Sequence, residues 1–394
     1  MTLMRAADTS IHIGVVVVPG EDNYANNNLH TVTNSRTGAT HNGWTPVMLS
    51  TLSSLGAKPD FVIYHYYPQY TPPPPPTPPP AADSDQILLQ ISANWANDAA
   101  DIRQQITDYM GAATGSNIEL TVTENNSDPS SAFGRQLTSI VNGLYLADAT
   151  CQLMKTEFNS YLWWDLRNGH NSTGDFDPTI YGWRTYGDEG LINNADDSRY
   201  PGFYCAKMMQ YFVRPGDTVL NATSDYLWLA SYAARKADGA LTLMVINKDA
   251  TTNFNGQIAF SNFMPWSTAT VRTYGIPQDN AVKNNITTPP GVQDIYTNST
   301  NASVVFTNSF PPYSMTLFTF SPAAPQLVAQ PSDGTDFAFT LQGQPNTPYV
   351  VQTSADLSPG SWSPVSTNTT QPDGTLSVTN TIGTQQFWRA VWQP

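Results

Sequence analysis

The sequence predicts an α/β plus all-β protein: a partial TIM-type (β/α) barrel over residues 1–212, a β-sandwich over 213–321 and a small C-terminal all-β module over 326–394. Three observations predict it. Four β-rich runs in the first half alternate with stretches of helical periodicity, the rhythm of a βα-repeat fold. From Thr218 the runs become short, alternating and separated by turn residues, as in a sandwich. Pro322 to Pro325 then reads as a linker before a last set of such runs.

Taken in order, Ile11 to Val18 is a near-continuous β-branched strand closed by Pro19-Gly20. Trp44, Val47, Met48, Leu52 and Leu55 recur at helical spacing until Gly56. Phe61 to Tyr67 is the second strand. The stretch from Pro68 to Pro80 holds nine prolines and can only be extended chain, either a stiff rim over a cleft or an inert insertion. From Ser84 to Met110 apolar residues fall three or four apart, predicting one helix that stops at Gly111. Ile118, Leu120 and Val122 alternate as a third strand, which breaks at Glu124 into an Asn/Ser/Asp/Pro cluster. A helix from Leu137 to Cys151, a fourth strand from Tyr161 to Leu166 and a helix from Tyr200 to Phe212 complete the region. Four strands make half of an eightfold barrel, which needs about 250 residues.

Composition narrows the partners. With 17 Lys plus Arg against 31 Asp plus Glu, the net charge of −14 argues against a nucleic-acid backbone, which needs clustered cations. The longest apolar runs fall far short of the roughly 20 residues that cross a bilayer, so no membrane partner is expected. Ten Trp and 19 Tyr among many Asn, Thr, Ser and Asp suit carbohydrate, whose ring faces stack on aromatics while its hydroxyls bond amides and carboxylates. Packed β-sheets produce the same composition. Cys151 and Cys205 fall on neighbouring predicted helices, compatible with a disulfide or with two buried thiols. No cofactor is implied, and the five histidines form no ligand-spaced pair, so no metal site is expected.

A carboxylate where a parallel strand meets its loop lies at the end from which barrels draw their catalytic groups. That singles out Glu124. The runs I-H-I-G-V-V-V, F-V-I-Y-H-Y-Y, L-T-V-T-E-N-N-S and L-W-W-D-L-R-N-G, in this order, resemble strands five to eight of clan A retaining glycoside hydrolases, near the α-L-arabinofuranosidase-like members. The resemblance covers residues 1 to about 321 and implies that the first half of the barrel is lacking. It assigns Glu124 as nucleophile, with His65 and Tyr67 lining the sugar site and Tyr67 placed to hydrogen-bond Glu124. Trp164 is the candidate sugar platform. Asp165 and Arg167 either bind substrate or pair with each other to organise their loop.

The sequence departs from that pattern in one respect. Retaining hydrolysis needs a second carboxyl roughly 5 Å from the first. In the clan it is a Glu after an Asn, and no Asn-Glu pair occurs here. Of the five glutamates, Glu119 and Glu157 belong toward the far end of their strands, while Glu21 and Glu189 lie on loops at the right end. Glu21 leaves the strand that would neighbour the missing fourth one, and is the candidate substitute. The function expected is retaining hydrolysis of plant-type polysaccharide or oligosaccharide; the alternative is a non-catalytic carbohydrate-binding protein derived from such an enzyme. A half barrel exposes open strand edges, which predicts a homo-oligomer covering them. The last module resembles β-domains appended to secreted bacterial enzymes, implying secretion, although the segment from Met1 to Asp8 has no apolar signal region and reads like the tail of a longer helix.

Overall fold

The computed structural model describes residues 1–69, 85–128, 137–168, 189–195, 197–283, 295–331, 336–381 and 386–392. It divides into two compact units, Met1–Met209 with Gly275–Asp294, and Gln210–Tyr274 with Ile295–Pro394.

In the first unit Gly14–Val16, Phe61–Tyr66, Glu119–Asn125 and Phe158–Trp163 form one parallel sheet in that order. Helices connect them: Trp44–Ser54, then Asp85–Ile91 and Trp95–Met110, then Ile140–Leu153. The sheet is open, and no closed barrel occurs among the described residues. Trp95, fully buried, is the centre of the packing, with ring contacts to Tyr64, Tyr66, Phe158 and Tyr161 at 5.2 to 6.2 Å. Residues 62, 64 and 66 of the second strand and residue 158 of the fourth thus present aromatic or apolar groups to one layer of helix. Glu119 and Glu157 sit at the opening ends of the third and fourth strands, where Asn159 and Arg103 bond them.

Several elements differ in extent from the sequence expectation, each for a local reason. The first strand is shorter because the Ile13 N–H is taken by the Asp60 carboxylate at 2.7 Å and Pro19 has no N–H to give. The expected single helix from Ser84 to Met110 is interrupted by a 3₁₀ turn at Ser92–Asn94, where buried Ser92 donates its hydroxyl to Asp148. Gly111, at φ 80° and ψ 148°, ends it in a conformation only glycine adopts readily. The fourth strand begins at Phe158 rather than Tyr161, because Phe158 is drawn into the Trp95 cluster. Both cysteines are buried, and they do not form a disulfide with each other. Of the proline-rich stretch only Pro68 and Gln69 lie within the described residues, and at Gln69 the backbone N–H bonds Ser127 O at 2.8 Å, on the loop that follows Glu124.

In the second unit a six-stranded sheet runs in the order Tyr296–Asn301, Pro265–Gly275, Ser314–Pro322, Leu241–Asn247, Leu229–Arg235, Thr218–Leu220. Phe254–Ala259 pairs with Val305–Phe310, and Phe306 packs on Phe318 and Phe320 of the larger sheet. The C-terminal module has two three-stranded sheets around Phe339, Val351 and Val378. Its Trp388 packs on Phe337 and Phe339, while Trp362 lies under the Arg389 guanidinium. The strands Ser363–Thr369 and Gln326–Ala329 went unread in the sequence, being short or rich in Ser, Thr and Asn.

Candidate active site

The site begins with an irregularity in strand pairing. Tyr64 pairs with Val122, but His65 pairs with Glu124, so Thr123 and Glu124 together oppose one histidine. A bulge of this kind sets two residues against one and re-aims a side chain. Strict alternation would have given Glu124 the orientation of Leu120 and Val122, which are buried. Instead Glu124 Oε2 lies 3.3 Å from His65 Nδ1 and accepts the Tyr67 hydroxyl at 2.9 Å. His65 Nε2 is fixed by Thr123 Oγ1 at 2.8 Å. The glutamate keeps 29% side-chain exposure, enough to meet a ligand. Burial, then the bond to Glu124 and the charges of Glu124, Glu189 and Asp165, push the Tyr67 hydroxyl up, so it remains a donor.

Two asparagines then tie the strand ends together. Asn125, fully buried, donates to Tyr66 O at 2.5 Å and to the Tyr145 hydroxyl at 3.0 Å, and accepts from the Tyr161 hydroxyl at 2.8 Å. Asn126, equally buried, donates to Trp164 O at 2.6 Å and Glu189 O at 3.1 Å, and accepts from Asn142 Nδ2 at 2.9 Å. By residue type alone this pair belongs to a turn. A buried amide clamp and a polar turn use the same residue types, and only burial separates them.

Beyond the fourth strand the Trp164 N–H bonds Asn125 O at 2.9 Å, and its indole is 42% exposed, as a stacking platform requires. The Asp165 N–H bonds Glu189 O at 3.3 Å, and Leu191 N–H returns to Asp165 O at 3.0 Å. Asp165 and Arg167 do not pair with each other: Arg167 pairs with Asp197. Among the described residues the Asp165 Oδ1 has no hydrogen-bond partner, and burial raises its carboxyl above the usual carboxylate range. The Glu189 residue is 7% exposed. Most of the loop between them, 169–188, lies outside the described residues.

The architecture around these residues has counterparts among solved structures. A xyloglucanase of glycoside hydrolase family 44 from Paenibacillus polymyxa, solved with xyloglucan, superposes with a TM-score of 0.52 at 13% identity, over 82% of this chain and 59% of that one. A monomeric β-xylosidase from Caulobacter crescentus CB15 superposes with a TM-score of 0.50 at 14% identity, over 82% of this chain and 64% of that one. The chain shares the fold of glycoside hydrolases. It spans about three fifths of the length of each of these structures. No family model matches the sequence. No curated protein matches it either.

Within this glycoside hydrolase fold, Glu21 has a separate set of partners. Its Oε1 accepts from Asn34 Nδ2 at 2.8 Å and from the Tyr109 hydroxyl, and His41 Nε2 lies 3.3 Å from Oε2. None of these touches Glu124. Near the same loop, Tyr24, His30, Trp44, Val47 and Met48 line an apolar cleft of about 320 Å³. No cluster of three or more His, Cys, Asp or Glu placed to hold a metal ion occurs among the described residues, and no described helix is long and apolar enough to cross a membrane.

Proposed function

We propose that this protein hydrolyses glycosidic bonds of plant-type polysaccharide or oligosaccharide by a retaining mechanism, with Glu124 as nucleophile. The observation that carries this reading is the Glu124 carboxylate held between His65 and Tyr67 where the parallel sheet ends. A carboxylate fixed by neighbouring side chains yet open to solvent can attack an anomeric carbon; the bond to the leaving oxygen breaks, that oxygen takes a proton, and water later releases the glycosyl ester. Trp164 offers the stacking surface for a sugar ring, and His65 lines the site beside Glu124. The fold shared with a xyloglucanase and a β-xylosidase supports this substrate class.

A second reading, carbohydrate binding without turnover, is favoured by the exposed Trp164 indole, which serves affinity whether or not chemistry follows. Reducing-sugar release from arabinan, xylan, xyloglucan, β-glucan and cellulose, measured for wild type and Glu124→Gln together, separates the two. Release by wild type that falls at least 10³-fold in Glu124→Gln supports the hydrolase. Undiminished release in the variant refutes Glu124 as nucleophile. Binding without release, weakened in Trp164→Ala and unchanged in Glu124→Gln, establishes the binding reading.

A further inference from the structure

We infer that Thr123 is a positioning residue of this site: its hydroxyl donates to His65 Nε2, keeps the proton of the neutral ring on Nδ1 facing Glu124 Oε2, and so leaves Oε1 as the oxygen that attacks. This rests on the Glu124 reading above and adds to it which atoms carry the protons.

Geometry comes first. Thr123 and Glu124 are consecutive, and on a regular strand consecutive side chains point to opposite faces. The bulge sets both of them against His65. They therefore hold the two nitrogens of one imidazole: Thr123 Oγ1 is 2.8 Å from Nε2, and Glu124 Oε2 is 3.3 Å from Nδ1. Turning the ring over would give up both contacts.

The place of the proton follows from the charges. A neutral imidazole carries a proton on one nitrogen and a lone pair on the other. A lone pair on Nδ1 would face a carboxylate oxygen and be repelled, whereas a proton there is attracted. Nε2 then holds the lone pair and needs a donor. The Thr123 hydroxyl is within reach, and it makes no other hydrogen bond among the described residues. A hydroxyl can donate or accept. Here only donation agrees with the carboxylate on the far side of the ring.

The same arrangement distinguishes the two oxygens of Glu124. Tyr67 also donates to Oε2, at 2.9 Å, so Oε2 faces two donors, while no described group bonds Oε1. The lone pairs of Oε1 are free to meet an anomeric carbon, and Oε2 stays turned toward its donors. Losing the Thr123 hydroxyl frees the imidazole to rotate and takes one of those donors out of place without altering the nucleophile itself.

The test reads the ring directly. Wild type, Thr123→Val, Thr123→Ser and His65→Gln are labelled with nitrogen-15 histidine, and the His65 signals are those missing from His65→Gln. As the pH is raised until the ring becomes neutral, Nε2 is expected to be the nitrogen that loses its proton in wild type and in Thr123→Ser. In Thr123→Val, which keeps the shape of threonine without its hydroxyl, the Nε2 signal should move and the two tautomers should mix. A wild-type ring protonated on Nε2, or an unmoved Nε2 signal in Thr123→Val, would overturn the inference. On the polysaccharide that wild type degrades, Thr123→Val should lower kcat about 10-fold with little change in KM, the worth of one hydrogen bond, and Thr123→Ser should recover most of that loss. Equal losses in the two variants would make Thr123 a packing residue and remove its positioning role. Glu124→Gln keeps the two readings apart: if that variant turns over, the nucleophile reading fails, while the nitrogen spectra decide the Thr123 contact by themselves, even where no polysaccharide is cleaved.

Discussion

Tyr67 donates its hydroxyl to Glu124 Oε2 at 2.9 Å from the end of the neighbouring parallel strand. Burial, the bond to Glu124 and the charges of Glu124, Glu189 and Asp165 push its hydroxyl up, so it stays protonated and the bond persists across neutral and moderately alkaline pH. Tyr67→Phe should therefore lower kcat by about 10 to 100-fold, or ~1.4 to 2.7 kcal/mol, while KM changes less. Steady-state kinetics on the substrate found in the polysaccharide panel checks this, and an unchanged kcat would remove Tyr67 from the site.

Asn126 is the link between the Glu124 strand and the segment carrying Trp164 and Asp165. Asn126→Ala removes a side-chain donor from the Trp164 carbonyl and one of two partners from each of the Glu189 carbonyl and the Asn142 amide. A loss of about 2 to 3 kcal/mol in urea unfolding is expected, together with weaker saccharide binding. Loss of stability below about 0.5 kcal/mol would show that the clamp is replaceable.

Asp60 ties the N-terminal segment to the sheet, accepting from Ile13 N–H and Arg5 Nη2, both at 2.7 Å. The Ile13 bond and then Arg5 hold its carboxyl below the usual range. A depressed folded pKa stabilises above the unfolded value of about 3.9 and ceases to do so as pH falls through the folded one. Asp60→Asn should cost about 1 kcal/mol at pH 7, with the difference from wild type shrinking as the pH drops below that range. Denaturant midpoints measured across the acid range check the sign.

Cys151 and Cys205 are 1% and 0% exposed, and burial followed by the Asp279 charge pushes the Cys205 thiol up. The native protein should react negligibly with a thiol reagent at pH 8, and the chain unfolded without reductant should titrate two thiols. Titration of none would mean the pair oxidises.

The outer strands of the parallel sheet, Gly14–Val16 and Phe158–Trp163, each have one strand neighbour among the described residues, and Val16 and Leu162 are 45% and 51% exposed. Such edges recruit partners. Sedimentation of this chain should show a dimer or larger species at micromolar concentration; a monomer throughout would leave the edges covered by something other than a second copy.

Much of this molecule was legible from periodicity. The strand at Leu241–Asn247 and the helix from Trp44 were readable because each buries a face with a simple period. The Ser84 to Met110 helix was misread as continuous because the 3₁₀ turn at Ser92 preserves the apolar spacing while breaking the helix. At the site, His65, Tyr67 and Glu124 were marked by their place at strand ends, and the structure brings them together. Thr123, Asn125 and Asn126 carried no such mark, and the Arg167 partner, Asp197, is thirty residues away in the chain.

The sequence alone located the four parallel strands to within a few residues at each end, since alternation and β-branched runs are local properties of the chain. Only the tertiary structure decided which way Glu124 points. Alternation assigns it to the buried face with Val122, and the bulge opposite His65 moves it beside Tyr67. A bulge is a property of two strands in register, and it leaves no trace in either one. The same holds for the segment after the fourth strand: Arg167 pairs with Asp197 and the Asp165 N–H meets the Glu189 carbonyl, long-range choices that no local pattern records.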